Sequence, residues 1–136
     1  MRMISWVLSL GLLAATVPAL AEEAAAPAQP QWEVARAIVT SGISEREPVD
    51  EMSQVAGEAA QVYFFTELRG MQGQRVLHRW VHNDTVMAEV GFDVNGPRWR
   101  VWSSKNMMPD WQGTWQISVV DGNGEVLVSR EFTYGQ

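Results

Sequence analysis

The sequence predicts an all-β domain, and three observations predict it: apolar residues recurring with period two, turn residues between those runs, and a folded length of about a hundred residues behind an N-terminal leader. The chain has 136 residues, of which 46% are hydrophobic and 19% charged, the balance of one soluble globular domain rather than of a disordered or fibrous chain.

Residues 34–40, 62–68 and 75–82 read as the first strands. In the next, Val86, Ala88, Val90, Phe92 and Val94 share one face while Met87, Glu89, Gly91 and Asp93 share the other. Residues 99–103 form a fifth. Trp115, Ile117 and Val119 alternate with Thr114, Gln116 and Ser118, and Asp121-Gly122-Asn123-Gly124 supplies turn chemistry before Val126, Val128, Arg130, Phe132 and Tyr134. Between the first two strands, 44–61 differs: Pro48 could open a short helix, Val49, Met52, Val55 and Ala56 lie at helical spacing, and Gly57 could close it. The expected fold is an immunoglobulin/fibronectin-like two-sheet β-sandwich of about seven strands with that short helical segment between the first two.

Ahead of the domain, Met1-Arg2-Met3 gives a positive start, residues 4–17 are mostly apolar, and Pro18-Ala19-Leu20-Ala21 ends in small residues that a signal peptidase reads. Residues 1–21 are therefore expected to be a signal peptide, 22–31 a flexible Ala/Pro/Gln leader and 32–136 a single domain, in a periplasmic or secreted protein. The apolar run is shorter than the roughly 20 residues that a spanning helix needs, so no membrane span is expected after signal removal. With no cysteine, the fold relies on its core rather than on disulfides.

Ten basic against sixteen acidic side chains give a formal charge of −6, which disfavours nucleic acid as a partner. The charge is segregated. Residues 22–68 hold two basic and nine acidic groups, 69–105 hold six and three, and 106–136 hold one and four.

Four segments, VYFFTELRG (62–70), HRW (78–80), GPRWRVWSSK (96–105) and GTWQISVVD (113–121), in that order, resemble the bacterial domain-of-unknown-function family numbered twenty-nine fourteen, over residues 34–134. The resemblance implies an envelope protein of Gram-negative bacteria with no known activity, substrate or cofactor, and it carries over no catalytic residues.

The chemically richest stretch is Arg98-Trp99-Arg100-Val101-Trp102-Ser103-Ser104-Lys105. On a strand, Arg98, Arg100 and Trp102 share one face and Trp99, Val101 and Ser103 the other. If the latter are buried, the former make an outward surface able to stack on rings and hydrogen-bond anionic groups. Two structural alternatives stand beside this one: arginines covering tryptophan faces in a cation–π ladder, and ion pairs from Glu45, Glu47, Asp50 or Glu51 to Arg79, Arg98 or Arg100. Met107-Met108-Pro109, next to Trp111, suits a buried strand crossing or a contact surface.

His78 and His82, the only histidines, would lie roughly 13 Å apart on a strand, too far to share a metal ion. His78 is expected to be partly buried and hydrogen-bonded, His82 solvated at the Asn83-Asp84 turn. No metal or other cofactor is expected. Catalytic patterns are equally thin. Ser103-Ser104-Lys105 lacks a supporting motif, Glu67 and Glu89 have no sequence-defined separation, and Gly70, Gly73, Gly91 and Gly96 match no nucleotide-binding fingerprint.

These readings converge on an exported, non-catalytic binding domain that uses His78, Trp80, Arg98, Arg100, Trp102, Lys105 and Trp111 to recognise an envelope glycan or a protein partner. A structural or interaction domain acting through an exposed strand edge is the alternative, and an unrecognised hydrolase is a third.

Overall fold

The computed structural model describes residues 31–135. The expected signal peptide and all but the last residue of the leader lie outside them. The described chain is all-β: ten strands and a single 3-10 turn at Pro109–Trp111. Seven strands run eight or nine residues: β1 (Glu33–Thr40), β5 (Gln61–Arg69), β6 (Arg75–His82), β7 (Thr85–Asp93), β8 (Arg98–Asn106), β9 (Gly113–Val120) and β10 (Val126–Tyr134). Three short ones, β2 (Ile43–Ser44), β3 (Glu47–Pro48) and β4 (Gln54–Val55), occupy the segment in which a helix was expected. That expectation is corrected. Glu45 and Arg46, with φ of 51° and 64°, form a tight turn that pairs β2 with β3, so the apolar spacing of 49–56 is never read by a helix.

Two sheets face each other in a sandwich-like arrangement. One is three-stranded, in the order β1-β5-β8; the other is five-stranded, in the order β4-β10-β9-β6-β7. Period two decides what lies between them. Val62, Phe64 and Leu68 of β5, Val76 and Trp80 of β6, Trp115, Ile117 and Val119 of β9, and Phe132 and Tyr134 of β10 are buried in one continuous core. Arg130 reaches from β10 to the edge of β1, its Nε donating to the Ala37 carbonyl at 3.0 Å. Gly70 turns the chain out of β5 with φ of 71°, and a Cβ there would meet the Gln31 carbonyl oxygen at 2.1 Å, so both backbone conformation and space require glycine.

Strand β1 breaks its own alternation. Val34 pairs with Leu68 and Arg36 with Glu67, with a bulge between Val34 and Arg36. The extra residue, Ala35, turns Arg36 and Ile38 onto the outer face and Ala37 and Val39 inward, where they are buried.

The core contains a polar chain. Trp80 Nε1–H donates to Ser103 Oγ at 3.1 Å, and the Thr66 hydroxyl donates to the Val101 carbonyl at 3.2 Å. His78 lies between them, with Nε2 at 3.0 Å from Thr66 Oγ1 and Nδ1 at 2.7 Å from Ser103 Oγ. Indole N–H can only donate and the Thr66 proton is already committed, so His78 carries its proton on Nε2 and accepts from Ser103 at Nδ1. Every donor is used, and the ring sits with centroids 4.8 Å from both Phe64 and Phe92. Burial pushes the His78 pKa down to about 3, which keeps the imidazole neutral.

Two predictions follow from this chain of bonds. Ser103→Ala leaves Trp80 N–H and His78 Nδ1 unpaired in the core and is expected to cost about 1–3 kcal/mol in urea unfolding. Because the unfolded chain takes up the His78 proton near pH 6.5 and the native state does not until about 3, stability falls as pH drops through that window. The slope of unfolding free energy against pH between 6.5 and 5, above the range where the carboxylates with lowered pKa begin to contribute, should approach about 1.4 kcal/mol per unit and drop by about that amount in His78→Gln; an unchanged slope would move the effect to another group.

Candidate functional site: an arginine face around a buried glutamate

The outer face of the three-stranded sheet is built from residues that alternate away from the core. Across β1, β5 and β8, one rung holds Arg36, Glu67 and Arg100, and the next toward the C-terminal end of β1 holds Ile38, Phe65 and Trp102. On the other side of the Glu67 rung, Arg69 pairs with Arg98. Side chains on an outer face normally meet water, yet Phe65 and Glu67 are 0% and 1% exposed. Phe65 lies under the Arg36 guanidinium, 4.8 Å from its ring centroid.

Glu67 is enclosed by three arginines. Its Oε1 accepts from Arg36 Nη2 at 2.8 Å and from Arg98 Nη2 and Nε at 2.9 and 3.2 Å. Its Oε2 accepts from Arg69 Nη2 and Nε at 2.8 and 3.1 Å. Desolvation acts to raise the Glu67 pKa, but hydrogen bonds from Arg36, Arg98 and Arg69, with the charge of Arg36, outweigh it and hold the group at about 2. The carboxylate is shut off by a layer of guanidiniums rather than by depth.

A second carboxylate lies over this layer. The β2–β3 hairpin folds across the face and places Glu47 on Arg36, with Nη1 to Oε2 at 2.6 Å and Nη2 to Oε1 at 3.1 Å, and on Arg100 Nη1 at 2.7 Å. The hydrogen bond from Arg36 lowers the Glu47 pKa against desolvation, with Arg100 adding to it. The hairpin is closed at its base by Asp50, whose Oδ1 accepts from Thr40 Oγ1 at 2.7 Å and from the Ser41 backbone N–H at 2.8 Å. Four guanidiniums therefore meet two strongly bound carboxylates. Glu33, 4.0 Å from Arg69, adds a loose contact between exposed groups. At the uncovered end, an open depression of about 440 Å³ is lined by Glu33, Ala35, Arg36, Glu67, Arg69 and Arg98, with the Arg69 and Arg98 side chains 52% and 54% exposed.

The seven residues expected to form one surface are separated by the fold. Arg98, Arg100 and Trp102 share the outer face as expected, with Trp99 and Val101 packed against the core. His78 and Trp80 are wholly buried and present no surface, which corrects their assignment to a binding site. His82 is also buried rather than solvated, stacked 4.7 Å from Trp115 with Nε2 donating to the Gln112 carbonyl at 2.9 Å, because alternation from Val76 carries it inward. Lys105 lies on the inward parity of β8 and stands over Trp111 at 4.4 Å, so that pair is not beside Trp102; Met107 is buried and Met108 exposed. The arginines do not form a ladder over tryptophans. They pair with carboxylates, and of the ion pairs considered from sequence, Glu47 with Arg100 forms. Glu67 and Glu89 lie on the outer faces of different sheets, Glu89 bound to Arg79 at 3.2 Å. Sequence reasoning missed Arg36, Arg69 and the role of Glu67; an acid within the apolar run VYFFTEL, on the polar parity of its strand, was the available signal.

The fold and this face define an all-β, sandwich-like domain with an arginine cluster around a buried glutamate. Within it, residues 73–134 match the family model described as "Protein of unknown function (DUF2914)", the family that the motifs resemble. The matched span takes in β6 to β10 with Arg98 and Arg100, and leaves out VYFFTELRG and hence Glu67 and Arg69. No curated protein matches the chain. Among the described residues no helix is long and apolar enough to cross a membrane.

Glu67→Gln removes the charge that three guanidiniums share. Since the arginines remain partly solvated, the expected loss is about 2–3 kcal/mol in denaturant unfolding, below the full penalty for breaking a deeply buried pair, while Arg69→Gln should cost under about 1 kcal/mol. Equal effects of the two substitutions would show that Glu67 does not organise the cluster.

Proposed function

We propose that the protein is an exported, non-catalytic binding domain of the bacterial envelope that recognises a glycan or other polymer bearing anionic groups through the outer face of the three-stranded sheet. The observation that carries this reading is the excess of guanidinium over carboxylate: Arg69 and Arg98, which line the open depression, spend their Nε and Nη2 groups on Glu67, and among the described residues their Nη1 groups make no hydrogen bond, the one on Arg69 having only the loose 4.0 Å contact with Glu33. A guanidinium held rigidly on one edge offers the other to a carboxylate or phosphate at little entropic cost. Trp102, half-buried two residues along β8 from Arg100, adds an apolar surface beside it.

A non-catalytic role fits the separation of the reactive groups. The Ser103–His78 contact is sealed in the core, and the two glutamates considered as an acid–base pair face away from each other. A finer assignment of the fold belongs with this proposal. The order β1-β5-β8 against β4-β10-β9-β6-β7, in which the short β4 extends four long strands, and Trp80 wholly buried on β6 support reading the domain as an immunoglobulin/fibronectin-like sandwich. The second reading is a protein-interaction domain: β7 ends its sheet, and Val86 on it is 50% exposed.

Intrinsic tryptophan fluorescence, titrated with lipopolysaccharide and with peptidoglycan fragments, tests the proposal. A saturable change is expected, weakened about tenfold or more in Arg69→Gln/Arg98→Gln and in Arg100→Ala at a temperature where circular dichroism shows each variant folded. A flat titration of the unmodified protein would reject polymer binding and direct attention to β7.

A further inference from the structure

We propose that Glu47 is a built-in stand-in for the ligand: a polyanion with closely spaced carboxylates or phosphates displaces it, opens the β2–β3 hairpin, and adds Arg36 and Arg100 to the Arg69–Arg98 site. This rests on the binding reading above and specifies the chemistry and regulation of that site.

Glu47 binds as an external anion would. Its carboxylate takes a two-pronged grip on Arg36, 2.6 and 3.1 Å, and shares Oε1 with Arg100 at 2.7 Å. The two glutamates differ in how firmly the fold holds them. Glu67 belongs to the central strand of its sheet and its side chain is 2% exposed; Glu47 belongs to a two-residue strand and its side chain is 41% exposed. Apart from Glu47 and a 3.4 Å contact from Arg100 Nη1 to the Arg46 carbonyl, the hairpin is tied at its base, by Val49 N–H to the Gly42 carbonyl at 3.1 Å and by Asp50. Its tip is strained: Glu45 and Arg46 both adopt left-handed backbone conformations that favour glycine or asparagine. Opening would relieve that strain while the Asp50 latch kept the base in register.

With Glu47 displaced, four guanidiniums are left with Glu67 and the loose, exposed contact of Glu33. They occupy two successive outward rungs, Arg36 with Arg100 and Arg69 with Arg98, roughly 7 Å apart along the strands. A single small anion reaches one rung, whereas a chain with repeated anionic groups reaches both, and only such a ligand supplies enough contacts to outbid Glu47.

The test compares the full chain with Glu47→Gln and Glu45→Gln, titrated with inorganic polyphosphate and with polyglutamate over a range of salt. Glu45 makes no ion pair among the described residues, so Glu45→Gln removes the same charge nearby without freeing an arginine. Glu47→Gln is expected to bind about tenfold tighter than the unmodified chain with a steeper salt dependence, and Glu45→Gln to bind as the unmodified chain does. Response to one polymer rather than the other tells phosphate from carboxylate as the recognised group. In the unmodified protein, saturation should speed amide hydrogen exchange across 43–48, a readout independent of how well either variant folds. Binding without tightening in Glu47→Gln, equal tightening in Glu45→Gln, or a hairpin protected further by ligand would each overturn the proposal while leaving polyanion binding intact. Failure of every form to bind either polymer would instead remove the binding reading itself.

Discussion

A carboxylate closed off from water must be paired, and the outer face of the three-stranded sheet is organised by that requirement at Glu67. Its neighbours along β5 on the same face are Phe65 and Arg69, so nothing on its own strand can shelter it except Arg69. The shelter is recruited from three strands and a hairpin. Arg36 comes from β1, Arg98 from β8, and Glu47 then fixes the far ends of Arg36 and Arg100. Burial of Phe65 is a by-product, because the guanidinium that serves Glu67 also lies over its ring.

The bulge at Ala35 is what makes this geometry available. In unbroken alternation from Val34, which opposes Leu68, residue 35 would oppose Glu67 and Arg36 would point into the core. One inserted residue places Arg36 opposite Glu67 and brings Ala37 and Val39 inward. A single backbone irregularity thus resolves two conflicts at once: a charge that the core cannot hold and a buried acid that needs a partner.

How far the sequence was legible follows from which interactions are periodic. The strands β6 and β9 announce themselves, since Val76, Trp80, Trp115, Ile117 and Val119 keep strict alternation and all are buried. The same rule hid His82: it sits next to a polar turn, which suggested solvent, but its parity with Trp80 carried it inward to stack on Trp115. The β2–β3 hairpin was illegible because its turn uses Glu45 and Arg46, residues with no preference for left-handed backbone, and a helical reading of 44–61 filled the gap. Arg98 and Arg100 were found from strand parity alone. Glu47 stood among the acids considered for Arg100, but Glu67 as the partner of Arg98, Arg69 and Arg36 did not, because register across strands and a bulge in β1 are tertiary facts with no local mark.

The core and the face settle opposite problems in opposite ways. At His78 the polar group is kept neutral, with one proton and one lone pair each given a single partner, so nothing is left over. At Glu67 the group is kept charged, and its surroundings overcompensate: more guanidinium hydrogen bonds converge on the carboxylate than its four lone-pair sites require, and Arg69 and Arg98 keep side chains that are about half exposed. Structural neutralisation would be complete with fewer arginines. The surplus raises self-repulsion between neighbouring guanidiniums, a cost that Glu47 offsets for Arg36 and Arg100 but not for the exposed Arg69–Arg98 pair. A fold that keeps such a pair rigid on the shared Glu67, solvated on the other edge and with only the loose contact of Glu33 there, leaves a place for an anion, which is the physical basis of the binding role proposed for this domain.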